Sequence, residues 1–331
     1  MQQLDISNHA FWGHLDCFEN LLEISNCMPI EKDLTINLSN LCEVNPFNML
    51  VLALSIKKLK KWFNKITINL PSQQVDGYMQ YMGFYETCGA IPREINKGSY
   101  KPGRYICIKE INFTYCGSIE ADYEMIETEA KNLSTMLQFD KDLAAYIKYC
   151  FFEMIRNTYE HAKTRSVYIC AQYWPKLNLV ELAIVDEGQG IKKAMELKYQ
   201  QKDELEIIKY AMIPGITARS NHVFLPRGDY YQNSGYGLYL TKELALAYDG
   251  NFILCSGNYA LRYCIEDHQA VCRCYKTKFN GTAIAIRFRT DRPQNFQELI
   301  ATIKKRGETL SKKYDEAIHI ASKSSGGSGR F

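Results

Sequence analysis

The sequence predicts an α+β protein built from two units, and three observations support this class. The chain has 331 residues, which is more than one hydrophobic core usually organises. Its first third alternates strand-like and helix-like patterns, and its remainder places long helical patterns before paired strand patterns. We therefore expect an α/β unit over residues 1–115, a second unit over residues 116–290, and a C-terminal helix with a flexible tail over residues 291–331.

The N-terminal unit is predicted from a strand–helix–strand pattern. Residues 34–38 (LTINL) and 66–70 (ITINL) alternate apolar and polar side chains, and residues 47–63 between them have helical spacing. Because such a connection usually brings its two strands side by side, we expect a parallel pair. A further helix is predicted around residues 77–87, and a strand at residues 105–108 is expected to close this unit.

The second unit is predicted to begin with helices over residues 118–137 and 140–162. Paired strands are expected at residues 167–173 and 180–185, before a helix at residues 196–212. The remaining predicted elements are a helix at 239–247 and strands at 251–254, 260–264 and 282–288.

The C-terminal helix is predicted from an apolar stripe that begins at Phe296 and includes Ile300 and Ile303. We expect this stripe to dock on its own domain rather than on a partner. Residues 324–331 are rich in glycine and serine and are expected to be flexible.

Composition excludes several classes of protein. The formal net charge of +3 creates no field that demands nucleic acid or a membrane, and the basic run at residues 57–65 is typical of a solvated helix end. The apolar stretch at residues 49–56 is much shorter than the about 20 residues that cross a bilayer. Residues 1–8 lack the pattern of a signal peptide, and twelve cysteines occur without framework spacing. We therefore expect a cytoplasmic protein with reduced thiols.

One predicted helix has three polar side chains spaced one turn apart. In residues 151–162 (FFEMIRNTYEHA), Glu153, Asn157 and His161 recur every four residues and share one face. An amide oxygen such as that of Asn157 can bind Mg²⁺, and a carboxylate such as that of Glu153 can act as a general base. By itself the pattern is more typical of the polar face of an amphipathic helix.

Two glycine-containing segments follow predicted strands or precede a predicted helix. Asp186 ends a strand in VDEGQGI, where its carboxylate can accept a hydrogen bond from an adenine amino group. Gly188 and Gly190 let the backbone turn tightly there. Gly235 and Gly237 in NSGYGLYL precede a helix, whose free N–H groups suit phosphate oxygens. Taken separately, the first segment is also typical of an Asp-Gly turn, and the second is also typical of a simple helix start.

The fourth segment is NGT at residues 280–282, followed by an alternating strand. Asn-Gly alone is typical of a hairpin turn. The order and spacing of all four segments, however, resemble the nucleotide-binding boxes of GHKL (Bergerat-fold) ATPases, a family that includes the gyrase ATPase subunit and histidine kinases. The resemblance covers residues 118–290 and implies a mixed sheet with helices on one face and ATP bound between them.

The resemblance implies a role for each matching residue. Glu153 matches the carboxylate that activates the attacking water, and Asn157 matches the ligand of Mg²⁺. Asp186 matches the adenine-binding aspartate, which Thr282 supports. Gly188 and Gly190 match the glycines that shape the loop after the aspartate. Gly235 and Gly237 match the glycines that lie next to the phosphates.

The neighbouring segments narrow the type of GHKL protein. Between Ile191 and Gly235 we expect the ATP lid, in which Arg219 is a phosphate contact or, more simply, a solvated arginine. Residues 118–150 contain no histidine, which disfavours an autophosphorylating histidine kinase. Only about forty residues follow the last box, too few for a transducer domain of the gyrase type.

The N-terminal unit resembles STAS-like domains, which pair with GHKL serine kinases in bacterial anti-sigma switches. The resemblance rests on its first strand, the Pro46-Phe47 turn, the long helix and ITINLP. The helix start, at residues 44–47, contains no serine or threonine for phosphorylation. We therefore expect a regulatory or docking role for this unit.

These resemblances lead to one function hypothesis and two alternatives. The hypothesis is Mg²⁺-dependent ATP binding with slow hydrolysis by a nucleotide-driven regulatory switch that acts on a protein partner or as a homodimer. The alternatives are an anti-sigma-type serine kinase and a nucleotide-binding scaffold that does not hydrolyse. By analogy of fold alone, bacterial stress signalling or phage defence is a fitting context.

Four cysteines and one histidine near the C-terminal end of the second unit are candidate zinc ligands. Its members are Cys255, Cys264, His268, Cys272 and Cys274. Their spacing matches no standard zinc finger, so we expect buried thiols on a strand, with zinc as the minor alternative.

Overall fold

The computed structural model describes residues 2–6, 32–89, 101–113, 118–218, 235–292 and 295–318. Within these ranges it contains a three-stranded sheet, a five-stranded sheet and nine α-helices. The α+β class predicted from the sequence is confirmed. No described helix has both the length and the apolar run that crossing a bilayer requires.

The three-stranded sheet is parallel. It contains β1 (Gln2–Asp5), β2 (Asp33–Asn37) and β3 (Lys65–Asn69) in that order. Helix α1 (Pro46–Leu59) connects β2 to β3, as a parallel pair requires. The parallel pairing predicted for these two strands is confirmed.

Helix α1 is buried on both sides because it lies between the two sheets. It begins where the Asn45 side chain accepts a hydrogen bond from the Asn48 N–H, 2.8 Å away, and Pro46 occupies its first turn. Its side chains share one hydrophobic cluster with both sheets. That cluster includes Leu34 and Ile36 of the three-stranded sheet and Cys170, Ala183 and Val185 of the five-stranded sheet.

The single helix predicted around residues 77–87 is two helices, α2 (Gln73–Tyr81) and α3 (Phe84–Thr87). Gly83 separates them with a φ of +84°. This left-handed conformation suits glycine and ends α2.

The five-stranded sheet has the order β4-β5-β6-β8-β7. Its strands are β4 (Tyr105–Asn112), β5 (Ser166–Trp174), β6 (Leu179–Asp186), β7 (Asn251–Glu266) and β8 (Gln269–Arg289). All four neighbouring pairs are antiparallel, so the mixed sheet that we expected is an antiparallel sheet in the described residues. The short connections from β5 to β6 and from β7 to β8 are hairpins, which impose this direction.

Strand β4 belongs to a different sheet from the one predicted. We expected residues 105–108 to close the N-terminal unit, but β4 pairs with β5, with Tyr105 opposite Gln172 and Asn112 opposite Ser166. An alternating pattern predicts that a strand forms, but it does not identify the edge that the strand joins.

Four helices cover the face of the five-stranded sheet opposite α1. They are α4 (Ile119–Met136), α5 (Lys141–His161), α8 (Gly237–Ala247) and α9 (Phe296–Ser311). The last of these docks on its own chain as predicted, since its apolar stripe is buried in the same core. The buried members of the stripe are Phe296, Ile300 and Ile303.

Two short helices lie at one end of this helical layer. They are α6 (Gly190–Met195) and α7 (Glu204–Ala211). The helix predicted at residues 196–212 is shorter because a capping box starts it, in which Asp203 and Glu206 each bind the other's backbone N–H.

Candidate functional site

A cleft opens where α5 passes the end of β6 and the neighbouring inner part of β8. Counted out to its open mouth, its empty space is about 810 Å³. Helices α6 and α8 and residues 216–218 form its other walls. Its polar lining residues are Asn157, Thr158, His161, Asp186, Thr217 and Thr282.

Asp186 lies at the base of the cleft as the last residue of β6. Its carboxylate is buried and accepts a hydrogen bond from the Gly188 N–H at 2.9 Å. The Thr282 backbone and side chain and the Thr158 side chain also favour the ionised form of this carboxylate. Burial raises the pKa of Asp186 to about 6, although these hydrogen bonds oppose the rise. At neutral pH the cleft therefore presents a mostly ionised hydrogen-bond acceptor.

Asn157 lines the cleft, whereas Glu153, one turn earlier on α5, lies beneath its wall. Glu153 is fully buried, and its Oε2 accepts a hydrogen bond from Arg156 Nη2 at 2.7 Å. Burial raises the pKa of Glu153, with Arg156 opposing the rise and Glu160 adding to it. Neither Glu153 Oε1 nor Asn157 Nδ2 has a hydrogen-bond partner among the described residues. Buried polar atoms without partners are rare, so these two atoms are available to a ligand or a water.

The start of α8 rests directly on this pair of side chains. A Cβ atom on Gly237 would lie 2.3 Å from Glu153 Oε2 and 3.6 Å from Asn157 Nδ2. Gly235, two residues earlier, has a φ of +72° and lines the cleft with Gly237. The backbone N–H groups of the first turn of α8 therefore adjoin Asn157, in the arrangement that favours anions.

The two glycines after Asp186 have different positions. Gly188 packs against Ala162, whose carbonyl oxygen would lie 2.2 Å from a Cβ atom at position 188, and it does not line the cleft. Gly190 has a φ of +74° and does line the cleft. Any side chain at position 190 would approach Ser256 Oγ to 2.9 Å.

The structure thus gathers six of the eight predicted site residues around one cleft. The six are Asn157, Asp186, Gly190, Gly235, Gly237 and Thr282. Glu153 lies directly behind the wall, and Gly188 supports Asp186 through its backbone.

Thr158 and Ser256 are two of the polar residues near the site that sequence reasoning missed. Thr158 hydrogen-bonds Asp186 from α5, and it follows Asn157 without any pattern of its own. Ser256 on β7 accepts a hydrogen bond from the Ile191 N–H and donates one to the Gly281 carbonyl, both at 2.9 Å. No local pattern predicts these contacts because each joins segments that are distant in sequence.

Other predictions fall outside the cleft. Arg219 lies outside the described residues. Among the described residues, no group of three or more histidines, cysteines or acidic residues could hold a metal. Of the cysteines considered for zinc, Cys255 and Cys264 are buried as expected, whereas Cys272 and Cys274 are exposed.

No protein-family model matches the sequence, and a search of curated proteins found no relative.

Proposed function

We propose that this chain binds ATP with Mg²⁺ in the cleft, hydrolyses it slowly, and acts as a nucleotide-driven regulatory switch of the GHKL class. One observation supports this proposal above the others. The same cleft holds a buried strand-end carboxylate at Asp186, an amide at Asn157, and a glycine-flanked helix start at Gly237.

The adenine would bind at the Asp186 end of the cleft. Ile184 and Ile284 provide apolar surface beside the carboxylate, and Thr282 holds that carboxylate in place. An aromatic base with an exocyclic amino group matches this combination of apolar walls and a buried acceptor.

The phosphates would bind at the start of α8, next to Asn157. Mg²⁺ commonly takes one or two oxygens from the protein and the rest from phosphates and water. The Asn157 side chain suits this donor set, because it lines the cleft and its amide oxygen is the kind of hard ligand that Mg²⁺ prefers. When bound, the metal would neutralise phosphate charge beside the helix start.

Glu153 is the proposed general base, and its surroundings favour slow hydrolysis. A general base must approach the attacking water within about 2.6–3.2 Å. Here the carboxylate is paired with Arg156 beneath Gly237. The side chain must leave this pairing, or a water must enter below Gly237, before a proton can be taken.

We propose that the N-terminal unit has a regulatory or docking role. The nucleotide state of the cleft would then be signalled through contact with a partner protein or with a second copy of the chain. Helix α1 packs on Val185, next to Asp186, and Lys58 of α1 interacts electrostatically with Glu187. A change in α1 would therefore reach the adenine end of the cleft directly. We also propose a cytoplasmic location, since all nine cysteines in the described residues are free thiols.

Calorimetric titration of MgATP into the wild type and Asp186→Asn, followed by phosphate release on the same samples, tests the proposal. We expect binding by the wild type, at least tenfold weaker binding by Asp186→Asn, and slow phosphate release. Asp291→Asn, a surface control whose carboxylate pairs with Arg289, should bind normally. Absence of binding by the wild type would contradict the proposal.

Glu153→Ala separates binding from hydrolysis. This variant should bind ATP but release no phosphate, and normal release would show that Glu153 is not the base. Transfer of labelled phosphate to a protein, in place of release as inorganic phosphate, would favour the serine-kinase alternative.

A further inference from the structure

The chain returns to the cleft after α9. Residues 311–318, here called the C-terminal strap, end at Ile318, whose N–H donates to the Gly215 carbonyl at 2.8 Å. The Ile318 carbonyl accepts a hydrogen bond from the Tyr236 hydroxyl at 3.1 Å. Ser311 Oγ lies 3.1 Å from the same tyrosine oxygen. The strap thus binds two segments that are distant from it in sequence.

Both of these segments form walls of the cleft. Gly215 precedes the lining residues Ile216, Thr217 and Ala218, and Tyr236 lies between two lining glycines. The Gly215 N–H also donates to the Gly235 carbonyl at 3.2 Å. The strap, the 215–218 segment and the start of α8 are therefore joined by a continuous set of hydrogen bonds.

The contacts are too close to admit larger residues. Gly215 has a φ of +84°, and a Cβ atom there would lie 2.2 Å from the Ile318 carbonyl oxygen. In α9, a Cβ atom on Gly307 would lie 2.7 Å from the Tyr239 ring and 3.2 Å from the Tyr236 ring. Glycine within a helix is destabilising, so its position here indicates that close packing of α9 on α8 is required.

Apolar packing and a further hydrogen bond reinforce the docked strap. Ala317 is buried in a cluster with Met195 and Ile216, both of which line the cleft. The Tyr210 hydroxyl donates to Glu316 Oε2 at 3.0 Å. The strap therefore supports the cleft wall from behind.

We propose that the C-terminal strap is a positioning element of the ligand cleft, so that strap docking and ligand binding strengthen each other. The identity of the ligand as MgATP rests on the proposed function, whereas the docking of the strap does not. A ligand that needs both Ile216 and the start of α8 in place binds better when the strap is docked. By thermodynamic reciprocity, that ligand must stabilise the docked strap to the same degree.

Tyr236→Phe tests the proposal, with Tyr248→Phe as its matched control. Tyr248 is also buried, but its hydroxyl has no hydrogen-bond partner among the described residues. Hydrogen exchange of the Ile318 amide is measured with and without MgATP, and ATP affinity is measured by calorimetry. We expect Tyr236→Phe to speed this exchange by roughly 3- to 10-fold, the range of one lost hydrogen bond, and to weaken ATP binding by up to the same factor.

In the wild type, MgATP should slow exchange at Ile318, and Tyr248→Phe should behave like the wild type in every measurement. Equal exchange at Ile318 in the two variants would overturn the docking role. Faster exchange without a change in affinity would overturn the coupling to the ligand. If the wild type binds no ATP, the proposed function and the coupling fail together, and exchange in the ligand-free protein still decides whether Tyr236 holds the strap.

Discussion

Replacing Asp186 with asparagine should stabilise the folded protein at pH 8, although it should weaken ligand binding. The carboxyl is 4% exposed, and burial raises its pKa to about 6 from the ordinary value of 3.8. Folding therefore disfavours its ionised form. The stabilising contribution of this group is present below about pH 4 and is lost as the pH rises through about 6.

The size of the effect follows from the two pKa values. They differ by about 2 units, and each unit corresponds to about 1.4 kcal/mol, so ionised Asp186 lowers the free energy of unfolding by about 3 kcal/mol at pH 8. Asparagine keeps an oxygen for the Gly188 N–H but gives up an acceptor for Thr282, a loss of about 1 kcal/mol. The expected net gain at pH 8 is about 2 kcal/mol.

Urea unfolding of the wild type and Asp186→Asn between pH 5 and pH 8 measures this effect. The difference between their free energies of unfolding should grow by about 1.5 kcal/mol over that range. Asp291→Asn is the control, because the Arg289 guanidinium lowers the pKa of Asp291 and leaves it ionised throughout. A difference that stays constant from pH 5 to pH 8 would refute the argument that burial destabilises the Asp186 carboxylate.

Two further substitutions test the packing around the cleft and between the sheets. Gly237→Ala should weaken ATP binding at least tenfold in calorimetry, because the added methyl group would lie 2.3 Å from Glu153 Oε2. Unchanged affinity would mean that the start of α8 does not hold the ligand. Glu181→Ala should lower the free energy of unfolding by about 3–5 kcal/mol in urea, because it removes the buried carboxylate that accepts hydrogen bonds from both the Arg287 guanidinium and the Phe47 N–H. A loss below about 1 kcal/mol would contradict this role.

The parts of the site that follow local patterns could be predicted from the sequence. Helical spacing places Asn157 on the face of α5 that meets the cleft, and the end of an apolar strand locates Asp186. Glu153 shares that face in sequence, yet its exposure depends on α8, which packs over it through Gly237. Ser256 could not be predicted because its two contacts join three separate segments.

The same distinction applies to the fold. The parallel pair in the first sheet follows from its strand–helix–strand pattern. The hairpin between β7 and β8 does not, because its turn is formed by Asp267 and His268, which both adopt positive φ without the glycine that usually marks such a turn. The Asn280-Gly281 pair, which is the stronger turn pattern in the sequence, lies inside β8 beside an irregularity in its pairing with β7.

Helix α1 has an unusual consequence for how the chain tolerates change. Eleven of its fourteen residues are buried, and their neighbours belong to two sheets rather than one. A larger side chain on α1 would press on one sheet or the other, and a smaller one would open a cavity against either. In a scan of all single substitutions, α1 should therefore be intolerant at nearly every position, without the three-to-four-residue rhythm of permissive sites that α4 should show.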